Sequence, residues 1–357
     1  MAIGGVIAVV VAAVSAMCLT GCANVGYYWQ SVNGHMSMMS AARPVKYWLG
    51  DAQSPQRLRD RLALSQQIRD YAVSELKLPD NPSYRRYADL NRNAVVWNVV
   101  AAAPYATTLR QWCFPVTGCV GYRGYFDEGE AKREAAQVAS EGFETAVYPV
   151  PAYSTLGWMN WAGGDPLLNT FIYYPEGELA RIIFHELAHQ VAYAKGDTTF
   201  NESFASSVER LGGTRWLTSQ GTDAMRSDYA QYNGRRTQFR ELTLAARKNL
   251  ERIYETTEGA KRDELKLAAM ADFRAQYAKL RDSWGGDPAR FRGYDQWVAR
   301  ANNASFGTQA AYDDLVPAFE ALFEREGHDF NRFYQAVKQL AELPSKDERH
   351  RQLQMQH

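Results

Sequence analysis

The sequence predicts an α+β protein, in which a small mixed sheet and a buried helix with polar side chains precede a mostly helical C-terminal part with a long helical hairpin. Three observations lead to this class. Short β-branched runs alternate with helical periodicity in the first half of the chain, apolar residues recur every four positions from Leu179 to Val191, and the composition becomes helical and charged after Trp216. We therefore expect a core at 22–220, with a helical region at 221–357 packed on it.

The N-terminal segment, 1–21, is expected to be a lipoprotein signal peptide. An apolar stretch from Ile3 to Ala16 leads to Leu19-Thr20-Gly21-Cys22, which fits the bacterial lipobox, so that Cys22 becomes the acylated N-terminus. A signal peptide normally opens with Lys or Arg, and this one has neither. The alternative is an uncleaved transmembrane helix, because about 20 apolar residues span a bilayer. Ala23 after the cysteine favours sorting to the outer membrane, facing the periplasm.

One helix and several short strands follow. The apolar pattern of residues 56–78 predicts a helix that ends at Pro79. The next elements are expected to be a strand at 94–102, a strand at 122–126, a helix at 130–141 and a strand at 145–150. This order, followed by another helix, is typical of an α+β core.

Cys113 and Cys119 lie between the first two of these strands. Their spacing around Pro115 and Gly118 suits a small disulfide loop formed in an oxidising compartment, and the alternative is a pair of free buried thiols. Because no histidine lies nearby, the two cysteines make a poor structural zinc site.

The helix predicted at 179–191 contains His185-Glu186-Leu187-Ala188-His189. Positions i and i+4 of a helix lie on one face, so His185 and His189 can direct imidazole nitrogens at one metal ion while Glu186 is turned aside. The alternative is two hydrogen-bonded core imidazoles. The chain has only six histidines, however, so this spacing should arise by chance in roughly one chain in a hundred.

A catalytic zinc site needs a third protein ligand and an open position for water. Gly196 predicts the end of one helix and the start of a second near residue 199, which returns past the first. Glu202, in the first turn of that second helix, can then approach the histidine pair. Asp197 and Glu209 are rivals for the third position, and Glu209 also suits a hydrogen bond to a ligand histidine.

After Trp216 the periodicity predicts an antiparallel hairpin of helices at 225–254 and 261–281, separated by Thr256-Thr257-Glu258-Gly259. Two more helices are expected at 310–325 and 330–343. Asn302-Asn303-Ala304 is a candidate polar wall of a cleft or, alternatively, a helix cap.

Several further blocks of sequence accompany these motifs. They are Gly21-Cys22, Tyr84-Arg85-Arg86-Tyr87, Trp112-Cys113-Phe114-Pro115, Gly118-Cys119, Tyr122-Arg123-Gly124-Tyr125-Phe126, Ala152-Tyr153-Ser154-Thr155-Leu156-Gly157-Trp158, Asp165-Pro166-Leu167-Leu168 and Asn201-Glu202-Ser203-Phe204-Ala205. With them the chain resembles the bacterial predicted-aminopeptidase lipoproteins, which are zinc peptidases with two histidine ligands and one glutamate. The resemblance covers most of the chain and implies a zincin-like core. It implies one Zn²⁺ per chain on His185, His189 and Glu202, with Glu186 as the base.

We therefore expect zinc-dependent hydrolysis of peptide bonds in the bacterial envelope. Glu186 would deprotonate a zinc-bound water and return the proton to the leaving amine. The family name alone implies removal of N-terminal residues. The alternatives are an envelope endopeptidase and a non-catalytic lipoprotein in which a structural zinc clamps two helices, but a structural site would normally have four protein ligands.

Substrate-binding residues are harder to choose from the sequence. Residues 153–158 lie where zincins place a strand edge that pairs with an extended substrate, or they form a loop that packs on the core. Tyr153 and Arg123 are the candidates for substrate binding, and Tyr229 and Tyr232 are further possible donors to an oxyanion. The carboxylates that could bind a free α-amine are Glu128, Glu130 and Glu209.

Charge and composition exclude some partners. The chain has 40 basic and 40 acidic residues and no basic stripe, which argues against a nucleic-acid partner. The expected partners are a peptide substrate and the membrane, the latter through the N-terminal lipid. The sequence does not indicate an oligomeric state.

Overall fold

A computed structural model describes residues 26–114, 118–157 and 160–355. The signal peptide and the lipobox cysteine, both predicted from the sequence, lie outside the described residues. In the described part of the chain, no helix combines the length and the apolar character needed to cross a bilayer.

The described part of the chain is mostly helical, with short strands in its first half. The helices are α1 (26–41), α2 (Val45–Gly50), α3 (Gln56–Ser74), α4 (Glu128–Ser140), α5 (Glu176–Ala188), α6 (Thr198–Gln220), α7 (Asp223–Thr256), α8 (Gly259–Ser283), α9 (Arg292–Arg300), α10 (Asn303–Asp313), α11 (Val316–Arg325), α12 (Phe330–Ala341) and α13 (Lys346–Met355). The strands are β1 (Arg43–Pro44), β2 (Arg86–Ala88), β3 (Val96–Ala102), β4 (Trp112–Phe114), β5 (Gly118–Val120), β6 (Arg123–Tyr125), β7 (Glu144–Val150) and β8 (Leu167–Leu168). The predicted α+β class is confirmed.

The largest sheet has the antiparallel order β6-β3-β7. Successive side chains along each strand point to opposite faces of this sheet. On one face Val99 and Tyr125 pack with Ala131 and Ala135 of α4. On the other face Val100, Ala102 and the partly buried Tyr148 pack with Ala304 of α10. Two smaller sheets are also present, one with the order β1-β2-β8 and one formed by the pair β4-β5.

The main hydrophobic core surrounds α5 and α6. Phe184 of α5 is fully buried, and a Cβ atom at Gly212 of α6 would lie only 3.0 Å from its ring. A Cβ atom at Gly213 would lie 3.0 Å from Cγ of Arg181. The two glycines therefore allow a close approach of the two helices, which a larger residue would prevent. This approach brings the polar side chains of α5 and α6 together.

The predicted hairpin is confirmed as α7 and α8, which share a separate apolar cluster. Phe239 and Leu250 of α7 pack with Met270, Phe273 and Tyr277 of α8. The outer faces of both helices carry charged residues. The hairpin therefore has one apolar seam and a solvated exterior, as its periodicity predicts.

The structure corrects one other prediction, adds a helix, and shows the form of residues 153–157. The helix expected at 310–325 is two helices, because α10 begins at Asn303 and Pro317 stands in the first turn of α11, where a missing N–H has no cost. The final helix, α13, was not predicted. Residues 153–157 form no strand, and the chain turns there with positive φ at Leu156 and Gly157. The packed-loop alternative is therefore the correct one for the described part of this segment.

Candidate metal centre

The helix α5 holds both motif histidines near its C-terminal end. Its hydrogen-bonded part ends at Ala188, before the end predicted at Gly196, and His189 is the C-cap. His189 keeps a helical backbone, with φ −57° and ψ −21°, so the i, i+4 geometry with His185 is preserved. Beyond this end, the Asn201 side chain accepts from the N–H of Ala194 at 2.8 Å and donates to its C=O at 2.9 Å. These bonds fix the turn that leads into α6.

Asp197, one rival for the third ligand position, has a different task. Its side chain accepts a hydrogen bond from the N–H of Phe200 at 3.1 Å and so caps α6. Its other contacts come from α13, where Arg349 donates to it at 2.7 Å and His350 lies 3.0 Å away. The C-terminal helix thus holds the start of α6, and Asp197 does not join the histidine pair.

Glu202 of α6 does join the histidine pair. Its Oε2 atom lies 3.3 Å from Nε2 of His185 and 3.6 Å from Nε2 of His189. The two imidazole rings are 4.8 Å apart and almost perpendicular. Two ligands that each lie about 2.1 Å from a tetrahedral zinc ion are about 3.4 Å apart, so the donor set and its spacing fit zinc. Within the described residues these are the side chains that form a group able to hold a metal ion.

Glu209, the other rival, contacts the far side of the His185 ring. Its Oε2 atom lies 3.1 Å from Nδ1 of His185, and its Oε1 atom accepts from the buried Arg181. Such a carboxylate fixes the ring orientation and leaves Nε2 free for a metal. Arg181 also pairs with Glu178, which in turn pairs with Arg236 of α7.

The charges of this cluster shift several pKa values. Burial alone would raise the pKa of Glu202, but the charge of His189 and hydrogen bonds from both histidines lower it to about 2. Burial likewise opposes ionisation of Glu209, and the charge of Arg181 nevertheless lowers its pKa. For His185, hydrogen bonds to the two carboxylates outweigh burial and raise its pKa. The group therefore favours two ionised carboxylates around the imidazoles.

Glu186 is partly buried beside this group. Burial raises its pKa, and the charges of Glu202 and Glu209 act in the same direction, while the two histidines oppose them. Asp165, which is fully buried, lies close enough to respond to Glu186. Burial, with a smaller contribution from Glu186, raises the pKa of Asp165 to about 6.

Among the described residues, four tyrosines have pKa values that the charge of Glu202 raises, and the sequence predicted a site role for none of them. Burial and then the charge of Glu202 raise the pKa of all four, to about 12 for Tyr193 and further for Tyr122 and Tyr312; for Tyr148, also at about 12, a hydrogen bond from Asn98 partly opposes this rise. The ring of Tyr312 stacks beside His185, with 6.3 Å between centroids. Three of them come from β7, α10 and the start of β6, so no local pattern could have pointed to them. Tyr193 alone stands near the motif, four residues after His189.

The predicted substrate-binding residues lie elsewhere. Arg123 is on the α4 face of the main sheet, where it pairs with Glu134 at 3.2 Å and covers the ring of Tyr27. The structure therefore places Arg123 among residues of α1 and α4 and does not bring it to the histidines. Tyr153 packs against the core, near the rings of Phe126 and His35.

The remaining candidates are also engaged. The Tyr229 hydroxyl lies 3.5 Å from Arg181, and Tyr232 stacks under Arg236. Glu128 and Glu130 both belong to α4 and pair with Lys132 and Arg133 of the same helix. Asn302 caps α10, accepting from the N–H of Ser305 at 3.1 Å, and Asn303 is fully buried. The helix-cap alternative is therefore correct for that segment.

The predicted disulfide is present. Cys113 and Cys119 are opposite each other in the β4-β5 hairpin and form the bond. The hairpin packs on the turn between the two metal-centre helices, because a Cβ atom at Gly118 would lie 2.9 Å from Cγ of Lys195. The disulfide hairpin thus covers the turn that separates His189 from Glu202.

Comparisons with known proteins give one finding. A sequence model of the family described as "Putative aminopeptidase" matches residues 26–353. Neither the curated proteins nor the solved structures contain a significant match.

Proposed function

Since the chain belongs to the family described as "Putative aminopeptidase", whose name indicates peptidase activity, we propose that it is a zinc-dependent peptidase that removes N-terminal residues from peptides. We further propose that it works in the bacterial envelope, attached to the membrane by a lipid on Cys22. The observation that carries the proposal is the convergence of His185, His189 and Glu202 beside Glu186.

His185, His189 and Glu202 would hold one zinc ion per chain. Two imidazole nitrogens and one carboxylate oxygen are a common donor set of catalytic zinc sites, which leave a coordination position open. When bound, the ion supplies Lewis acidity toward water and toward a peptide carbonyl. Glu209 keeps the His185 ring in place: Nδ1 of the ring faces the Glu209 carboxylate, and Nε2 faces Glu202.

Glu186 is the group that moves the proton. It lies next to both histidines, and its raised pKa brings its proton affinity closer to neutral pH than that of an exposed glutamate. A carboxylate of this kind takes a proton from water and returns it to the leaving amine more effectively than a weaker base would.

The tyrosines around Glu202 supply hydrogen-bond donors. The hydroxyls of Tyr312, Tyr193 and Tyr122 are protonated at neutral pH, because a tyrosine ordinarily ionises near pH 10 and burial raises their pKa values further. A protonated hydroxyl can donate to the oxygen that gains negative charge when a peptide carbonyl is attacked. Tyr312 is the first choice, because its ring lies beside His185.

The experiment compares a short peptide with its N-acetylated twin, using wild-type protein, Glu186→Gln, and Glu128→Gln as the matched control. Glu128 is an exposed glutamate whose ion pair with Lys132 lies within α4. The wild type and the control should cleave the free peptide at similar rates, and Glu186→Gln should lose about 10²-fold or more. Acetylation removes charge-assisted hydrogen bonds of about 1.5 to 3 kcal/mol, so the twin should react at least about tenfold more slowly.

Other outcomes select the alternatives. Equal internal cleavage of both peptides identifies an endopeptidase. Failure to cleave any member of a broad peptide library, by protein that carries one zinc per chain, identifies a structural zinc that clamps α5 to α6.

A further inference from the structure

The helix α1 exposes large apolar side chains to solvent. Trp29 is 68% exposed, Val32 57% and Met36 57%, and their spacing of three and four residues puts them on one face of the helix. Tyr28, 44% exposed, adjoins them. Single exposed apolar residues are common on proteins, but a contiguous group of this kind marks a contact surface.

The same helix contains no acidic residue and no lysine or arginine. No Asp, Glu, Lys or Arg occurs in residues 26–41, although these types make up 22% of the chain. The water-facing side of an amphipathic helix normally carries such charges. The exposed side of α1 therefore carries apolar side chains together with the uncharged polar Asn33, Ser37 and Ser40, a composition that suits a membrane–water interface.

The inner face of α1 is fixed, so the helix cannot rotate to bury its outer face. The side chain of Gln30 donates to the carbonyl of Gly124 at 3.3 Å and accepts from the N–H of Phe126 at 3.0 Å. A Cβ atom at Gly34 would overlap the ring of Phe126, and Met38 is buried. The apolar face is thus held outward by contacts on the opposite side.

Basic residues follow directly. Arg43 and Lys46 are exposed, as are Tyr47 and Leu49, and the Arg43 guanidinium lies over the Tyr47 ring at 5.0 Å. Tryptophan and tyrosine rings are enriched at membrane–water interfaces, and arginine and lysine are attracted by anionic lipid head groups. These exposed side chains, which follow α1 directly in the chain, suit contact with an anionic phospholipid bilayer.

Chain length favours the same partner. Only three residues lie between Cys22 and Gly26 of α1, and this four-position step spans at most about 14 Å when extended. A lipid on Cys22 would therefore keep α1 at the membrane surface. From these observations, and resting on the anchor proposed above, we infer that the outer face of α1 lies in the membrane–water interface and contacts phospholipid directly.

This contact would fix the orientation of the whole molecule. A lipid on a flexible segment tethers a protein without orienting it, whereas a helix embedded along one face does both. Because α1 packs on Phe126, next to β6 of the main sheet, the sheet and the metal centre would take a defined direction relative to the bilayer.

The test uses full-length protein purified from membranes and returned to vesicles of phosphatidylethanolamine and phosphatidylglycerol, with or without bromine on the acyl chains. Brominated chains quench tryptophans that lie in the bilayer. Wild-type emission should fall in the brominated vesicles, and Trp29→Phe should lose most of that fall. Trp161→Phe is the matched control, because Trp161 is 83% exposed but lies outside α1; this variant should be quenched like the wild type.

Each other result overturns the inference in a distinct way. Protein that floats with the vesicles and shows no bromine-dependent quenching has its anchor but no contact through α1. Protein that does not float lacks both the anchor and the contact through α1. Its peptidase activity is measured in a separate assay, so this result does not decide the proposed enzymatic function. If wild-type protein in detergent sediments as a dimer and Trp29→Ser with Val32→Ser and Met36→Ser sediments as a monomer, a second copy covers the face instead.

Discussion

Two pairs of consecutive antiparallel helices dominate the described structure, and they are built differently. The pair α5 and α6 approaches closely at Gly212 and encloses charged groups, with Arg181 and Glu209 both largely buried. The pair α7 and α8 shares an apolar seam of residues such as Phe239 and Tyr277 and turns its charges to water. The second arrangement suits a scaffold. The first retains buried charges that add little to stability by themselves, which is typical of a site selected for chemistry.

The largest expected difference concerns packing. Phe204 of α6 is fully buried against the rings of Phe319, Phe333 and Tyr334. Phe204→Ala should therefore lower the free energy of unfolding by about 3 to 5 kcal/mol. Leu267→Ala on α8, where the side chain is 72% exposed, should change it by about 0.5 kcal/mol or less. Urea unfolding measures both, and similar losses would contradict the burial of Phe204 in the core around α6.

A smaller difference should appear in the pH dependence of stability. Asp165 is buried behind Glu186 and its pKa is raised from 3.8 to about 6 in the folded protein. The folded state therefore holds this proton more tightly than the unfolded state, so the wild type is favoured below pH 4 and loses about 3 kcal/mol as the pH rises past 6.

Asp165→Asn cannot ionise and keeps an oxygen that can accept from the N–H of Thr155. We expect its stability relative to the wild type to increase by up to about 3 kcal/mol between pH 4 and pH 8. Asp272→Asn, at an exposed position of α8, should follow the wild type. Thermal unfolding at the two pH values gives the comparison. If the stability difference between Asp165→Asn and wild type is the same at pH 4 and pH 8, the pKa of Asp165 is not raised in the folded protein.

The two helix pairs also differ in how far the sequence predicts them. The seam of α7 and α8 joins residues close in sequence, so periodicity alone predicts the hairpin. The spacing of His185, His189 and Glu202 predicts their convergence for the same reason. Tyr312 reaches His185 from more than 100 residues away, and a three-residue strand gives no sign in the sequence of which sheet face Arg123 occupies. Local patterns thus predict the ligand group, and only the tertiary fold identifies its surroundings.

The smallest expected effect separates a ligand from the residue that orients it. Glu209→Gln removes the charge that pairs with Arg181 and weakens the hydrogen bond to Nδ1 of His185. Loss of such an outer contact lowers metal affinity about 10- to 100-fold, or about 1.4 to 2.7 kcal/mol. Glu202→Gln alters the third ligand that we propose for zinc and should weaken zinc binding further. Glu251→Gln on α7, where the carboxylate pairs with Arg247 at 2.8 Å, is the hairpin control and should bind zinc like the wild type.

Competition with a chromogenic chelator measures the three zinc affinities. An unchanged affinity in Glu209→Gln would make the ion pair with Arg181 a purely structural link between α5 and α6, of the same kind as the ion pairs on the hairpin. Complete loss of zinc in Glu209→Gln, with binding retained in Glu202→Gln, would instead assign the third ligand to Glu209. We expect zinc affinity to be lowest in Glu202→Gln, higher in Glu209→Gln and highest in Glu251→Gln. This order would mean that the buried charges of α5 and α6 support zinc binding and that the charges of α7 do not.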